Sequence, residues 1–180
     1  RAAQLKKYAP QVEVVSIRGN VETRLAKAES DEYDGVILAA AGLVRLGLTE
    51  RISEYLSVEE FVPPPGQGVL AAETRTDDDR MRDILARVDH SASRSAAIAE
   101  RGFLELLGGG CQLPVGAYAQ ADVEALHLRV FMSTPEGGSV FRAQLSGSID
   151  VPHQLAKEAY QALVERADRE LVEALQAGGG

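Results

Sequence analysis

The 180-residue chain has no tryptophan, two methionines and a single cysteine, Cys111. One cysteine excludes an internal disulfide framework, so its sulfur serves either as a small packed thiol or as a chemical handle. Lysine is scarce, four residues against fifteen arginines. The net charge of −8 argues against a general nucleic-acid binder, which needs a basic face. No apolar run reaches the roughly 20 residues that cross a bilayer as a helix. There is no secretory signal pattern, and a reducing, cytoplasmic setting is the default expectation. The three histidines, His90, His127 and His153, have no metal-ligand spacing with one another, with Cys111 or with a carboxylate. Surface or capping roles are expected for them. There is no Gly-rich phosphate loop and no nucleophile elbow. The acidic run Asp77-Asp78-Asp79 reads as the start of a helix, since carboxylates suit a helix N-terminus.

What is present is an ordinary soluble composition, 45% hydrophobic and 26% charged, long enough for one or two domains. The first residues read as helix interior without a cap, which suggests a fragment or a cleaved chain. Residues 2–9 are expected to be a helix stopped by Pro10, residues 12–17 a β-branched strand, and residues 21–29 a helix. Residues 35–41 read as a buried parallel strand, followed by a helix from Ala41 to Leu46 and a helical turn over 49–55. Residues 69–74 read as another strand. The alternation of strand, turn and helix predicts a parallel α/β sheet, whose ligands bind beyond the strands' carboxyl ends, where Arg18 and Gly42 fall. A composition shift near His90 predicts a second unit. It opens with a helix over 91–107, followed by strands over 113–121, 125–133 and 139–146, a hairpin turn at 135–138, and a last helix from about Val151 to Leu175. Within the second of these strands, Leu126, Leu128, Val130 and Met132 alternate toward one buried face.

Arginine presents a planar donor fork that matches carboxylates, which an ammonium does not. Several arginines near strand ends of an acidic protein suggest a small polyanionic ligand. Taken singly, each reads sooner as a solvated surface charge or a rim ion pair than as a ligand contact.

Five stretches together resemble porphobilinogen deaminase, also called hydroxymethylbilane synthase, over nearly the whole chain. They are Ile17-Arg18-Gly19-Asn20-Val21-Glu22-Thr23-Arg24-Leu25, then Tyr33 to Ala39 with Ala41-Gly42-Leu43 and Arg45-Leu46-Gly47-Leu48, then Gly66-Gln67-Gly68. Ala99-Glu100-Arg101 and Gly109-Gly110-Cys111-Gln112 with Pro114 and Gly116-Ala117 complete the set. The resemblance implies that Cys111 holds a dipyrromethane cofactor, two linked pyrroles, through a thioether. Four porphobilinogen units then add head to tail with loss of ammonia, and water frees the linear tetrapyrrole. It implies that Arg1, Arg18 and Arg24 bind the cofactor's carboxylates, that Arg18, Arg24 and Arg45 bind substrate, and that Gly68 is a backbone position near the cofactor. Arg101 is ambiguous and could brace the cysteine-bearing unit.

The same resemblance implies a partial doubly wound, periplasmic-binding-protein-like α/β domain followed by a small α+β domain with a three-stranded antiparallel sheet. Residues 1–68 would be the larger part of the family's second domain, 69–88 a returning piece of its first, and 91–180 its third. The family's catalytic aspartate would lie upstream of Arg1. None of Asp31, Asp34, Asp77, Asp78 or Asp79 sits in a matching motif, so no catalytic residue is assigned here. The chain alone is expected to be inactive, with the missing segment as its partner and no nucleic acid or membrane involved. The alternatives are a non-catalytic small-anion-binding module, which would keep the arginines without needing Cys111, and a truncated, inactive fragment.

Overall fold

The structure, a computed structural model, describes residues 1–108, 114–123, 125–134 and 137–167. Its organising element is a three-stranded antiparallel sheet of β1 (Val115–Ala121), β2 (Ala125–Ser133) and β3 (Val140–Ser148), with β2 in the middle. Val115 pairs with Met132 and Leu128 with Leu145, so the chain-order neighbours are also the sheet neighbours. Helices α5 (Ser91–Leu106) and α6 (Pro152–Val164) pack on one face. Leu126, Leu128, Val130 and Met132 point into that core, as the alternation predicts, and meet Ala99, Phe103 and Leu107 from α5 and its end and Leu155, Ala159 and Leu163 from α6. At Gly102 an added Cβ would lie 3.3 Å from Ala156 Cβ, which shows how closely the two helices approach. The other face of β2 is not open either. Phe131 is buried, and the Arg142 guanidinium lies over both its ring and that of Tyr8.

The helix starts follow local chemistry. Asn20 accepts from Thr23 N at the start of α2 (Val21–Ala28), Asp78 accepts from Met81 N ahead of α4 (Asp79–Ala86), and His90 accepts from Ser93 N ahead of α5. Thus His90 is a cap, and the acidic run opens a helix, as expected. The expected α1 (Ala2–Tyr8) and α3 (Ala40–Arg45) are present, and Gly47 at φ +71° turns the chain after α3. The expected turn at 49–55 is only a single 3₁₀ turn, Thr49–Arg51. Helix α6 stops at Val164 and a turn follows, not the continuous helix expected. The rest of that expectation, residues 168–175, lies outside the described residues, as do Pro135 and Glu136 of the hairpin turn.

The main correction concerns the first half. The strands expected at 12–17, 35–41 and 69–74 are not formed; the antiparallel sheet is the only one among the described residues. Their β-branched and apolar composition favours extended backbone, but a ladder also needs a second strand alongside. None of the three forms a backbone hydrogen-bonded ladder with another segment among the described residues. Val15 is half exposed and Leu70 is 78% exposed, as unpaired apolar runs would be.

A buried seam ties the two halves together. The Gln4 side chain donates to Val62 O at 2.7 Å and accepts from Val62 N at 2.9 Å, so both polar ends of a side chain that is only 2% exposed are satisfied. Ala117 N donates to Pro63 O at 3.0 Å, bringing strand β1 directly onto the Pro-rich segment. Arg142 donates to the carbonyls of Glu59 and Glu60.

Candidate functional site

The Pro63-Pro64-Pro65 run feeds a turn over residues 66–68, and several sequence-predicted groups converge there. Gly66 (φ +76°) and Gly68 (φ +86°) both adopt the left-handed backbone that only glycine takes without strain. The Arg1 guanidinium donates to Gln67 Oε1 at 2.6 Å, and Arg45, at the end of α3, donates to Gly68 O. Residues far apart in sequence are thereby gathered on two consecutive positions, Gln67 and Gly68. Gly68 is also tight against α3: a Cβ there would lie 3.3 Å from Ala41 Cβ.

Arg24 stands on α2, half-buried, with its Nε sealed from solvent and without a hydrogen-bond partner. Partial burial first, and the positive charge of Arg24 second, hold the Arg1 guanidinium below the ordinary arginine value. The like charge of Arg24 is thus felt at Arg1, and among the described residues neither guanidinium makes an ion pair. Buried polar groups are normally satisfied, and Arg129 Nε, in β2, is the other such atom without a partner among the described residues.

Arg18 lies exposed two residues before the Asn20 cap and makes no hydrogen bond or ion pair among the described residues, so it is not brought into the cluster by any contact. Arg101 is exposed. Cys111, with Gly109, Gly110 and Gln112, lies outside the described residues. Its flanks are described: Gly108 turns at φ +89° after α5, and Val115 opens β1.

Beside the turn lies a cleft of about 1230 Å³, lined among others by Arg1, Gln67, Gly68, Ile37, Leu43 and Phe61. Arg18, Arg24 and Arg45 do not line it. No cluster of histidine, cysteine and carboxylate suited to a metal occurs among the described residues, and no described helix is long and apolar enough to cross a membrane.

Sequence reasoning gave no role to Glu100, although it quoted the residue. Glu100 sits on α5, 5% exposed, and accepts from Gly66 N at 2.6 Å and from Ala119 N at 2.8 Å. A signal was present. Ala96, Glu100, Phe103 and Leu107 fall at i, i+4, i+7 and i+11, so the carboxylate interrupts the apolar stripe of its helix. Burial raises the Glu100 pKa above its ordinary 4.5, against the opposing pull of the Ala119 and Gly66 amides. The folded chain then holds a proton that the unfolded chain has already released. Stability contributed by this group is therefore present at low pH and falls as pH rises from about 4.5 through the raised value. Urea midpoints followed across that window should show the decline in the parent and not in Glu100→Gln; the same slope in both would contradict it.

Two guanidiniums, Arg1 and Arg45, thus meet at the turn, beside a cleft whose lining carries Glu29, Asp34, Glu50, Glu54 and Glu60 as well as Arg1 and Arg51. Comparison with known proteins gives the family. Residues 1–83 match the family described as "Porphobilinogen deaminase, dipyromethane cofactor binding domain", and residues 95–165 match "Porphobilinogen deaminase, C-terminal domain". The porphobilinogen deaminase of Alkaliphilus metalliredigens (strain QYMF) is 43% identical over 173 residues, covering 96% of this chain and 55% of that protein. That of Geobacillus kaustophilus (strain HTA426) is 40% identical over 174 residues, covering 96% of this chain and 56% of that protein. The chain belongs to the porphobilinogen deaminase family and spans about half the length of the curated relatives it matches.

Proposed function

We propose that this chain is the cofactor-anchoring part of a hydroxymethylbilane synthase, a transferase of porphyrin and heme biosynthesis working in the cytoplasm. In this reading Cys111 tethers a dipyrromethane through a thioether, and four porphobilinogen units are joined with loss of ammonia into hydroxymethylbilane. What supports the reading is the Arg1–Arg24 pair, two guanidiniums whose like charges interact without an ion-paired carboxylate among the described residues, one with a sealed and partnerless Nε.

Guanidiniums are the donor type that the group calls for. Each pyrrole of such a chain bears two carboxylates, and guanidinium forks match carboxylates two bonds at a time. Arg1, Arg18 and Arg24 would hold the cofactor, and Arg18, Arg24 and Arg45 the incoming substrate. Gly68 keeps a side chain out of the space beside Ala41. Hydrogen bonds to charged groups of this kind contribute about 1.5–3 kcal/mol each. When bound, the cofactor supplies a permanent primer with a nucleophilic pyrrole carbon. The arginines' part is to bind and orient its carboxylates as negative charge accumulates with each added unit.

Residues 1–68, 69–88 and 91–180 are assigned to the family's second, first and third domains. The remaining part of the family's length is the partner, whether in the same protein or as a separate chain. The extended runs 12–17, 35–41 and 69–74 become strands of a periplasmic-binding-protein-like sheet when that part pairs with them. It also brings the general acid that this chain lacks, so the chain alone is inactive.

Intact mass spectrometry and bilane assay test this together. Given porphobilinogen and the remaining part of a relative, the chain should gain two pyrrole units and then turn over; without that part it should form no bilane. Absence of the increment under complementation would sink the tether, and bilane formation by the chain alone at the complemented rate would sink the incompleteness.

A further inference from the structure

We propose that Glu100 is a positioning residue: from the rigid α5–sheet unit it fixes the 66–68 turn, and through that turn the Arg1 and Arg45 guanidiniums. The inference rests on the function proposed above for those arginines, but the physical tie does not.

Both carboxylate oxygens are committed to backbone N–H groups of different elements. Oε2 takes Gly66 N at 2.6 Å and Oε1 takes Ala119 N at 2.8 Å. The residue is almost wholly buried, and its helix neighbours Ala99 and Phe103 are at 0% exposure in the core, so the carboxylate has little freedom to move. Of the two groups it holds, Ala119 belongs to a strand already paired with Leu128. Gly66 lies in no paired strand; among the described residues its carbonyl accepts only from Val69 N, within the same turn. Among the described residues, Glu100 is the side chain of the C-terminal unit that reaches this turn. The next two residues carry the functional contacts: Gln67 receives Arg1, and Gly68 receives Arg45. Position therefore passes from α5 to Gly66, and from Gly66 through one peptide to Gln67, which receives Arg1, and through two to Gly68, which receives Arg45. The same helix leads, five residues past its end, to Cys111.

A carboxylate is required because two donors converge on it. The isosteric amide has one acceptor oxygen, and its NH₂ would face the second N–H. Glu100→Gln therefore keeps the volume of the side chain and removes one of the two ties.

In this chain, Glu100→Gln should speed hydrogen exchange at the Gly66 amide by about ten-fold or more while the Phe103 and Val130 amides keep their protection. In the complemented enzyme it should raise KM for porphobilinogen about five-fold or more with kcat within about two-fold, the pattern of weakened ground-state binding and not of lost chemistry. Gln67→Ala leaves Glu100 and the core intact and removes the Arg1 contact at the turn itself. It should raise KM in the same direction, and it replaces Glu100→Gln if that variant folds poorly. Unchanged exchange at Gly66, unchanged KM in both variants, or a loss confined to kcat would overturn the proposal. A parent protein that neither loads nor turns over counts against the proposed function instead, and the exchange at Gly66 then decides the tie by itself.

Discussion

Cys111→Ser should leave the chain with no covalent pyrrole increment and take turnover of the complemented protein to background. The reason lies in the acidity of the two nucleophiles. A free thiol with a pKa near 8.5 is a few per cent thiolate at neutral pH and intrinsically reactive, whereas a serine hydroxyl is scarcely ionised and needs an adjacent base. No other cysteine exists in the chain to take over. The segment carrying Cys111 is anchored on both sides by core residues: Leu107, at the end of α5, is fully buried, and Val115, at the start of β1, is 8% exposed. Intact mass after complementation reads the outcome directly. A serine variant that still gains two pyrrole units would place the tether elsewhere and remove Cys111 from the mechanism.

The C-terminal unit was readable from sequence because its rules are satisfied within itself. Leu126, Leu128, Val130 and Met132 alternate, and α5 and α6 each present an apolar stripe, so sheet and helices close on one another within some 75 residues. The first half was readable only as far as local preference goes. Residues 12–17 and 35–41 have the composition of strands, and composition does not supply a neighbour to pair with. The arginines illustrate a different limit. Arg1, Arg45 and Gln67 are separated by more than twenty residues in each step, and no periodicity links them; the left-handed glycines on either side of Gln67 bring them together. Motif resemblance named Arg1, Arg24, Arg45 and Gly68, while the turn that unites most of them became visible only in three dimensions. Arg18 remains named by resemblance alone. Glu100 was missed because a charged residue inside an amphipathic helix is ordinarily assigned to the solvent face, although its place in the stripe said otherwise.

Gly116→Ala should destabilise the chain by about 1–3 kcal/mol, the usual range for forcing a methyl into a filled site. A Cβ at Gly116 would lie 2.7 Å from Val62 O and 3.1 Å from both Val62 Cβ and Cγ1. Val62 cannot easily retreat. It is 2% exposed, and its N–H and carbonyl are both held by the Gln4 side chain. The strand cannot easily retreat either, because Gly116 pairs with Phe131 and the next residue, Ala117, donates to Pro63 O. The backbone of Gly116 is not in the left-handed region, so the cost comes from space and not from torsional strain. Gly102→Ala is the useful contrast. Its new Cβ would meet the Ala156 methyl at 3.3 Å, an approach that a small shift of the two helices relieves. The Gly116 variant should therefore lose more stability than the Gly102 variant, as read by urea midpoints. Its loss should fall on the seam, with faster hydrogen exchange at Val62 and Ala117 than at Leu128 or Phe103. Because residues 63–65 lead straight into the 66–68 turn, that seam is also the base on which the arginine contacts stand. Equal stability of Gly116→Ala and the parent would mean that the Val62 segment yields freely, and the turn would then lack the firm footing that its role requires.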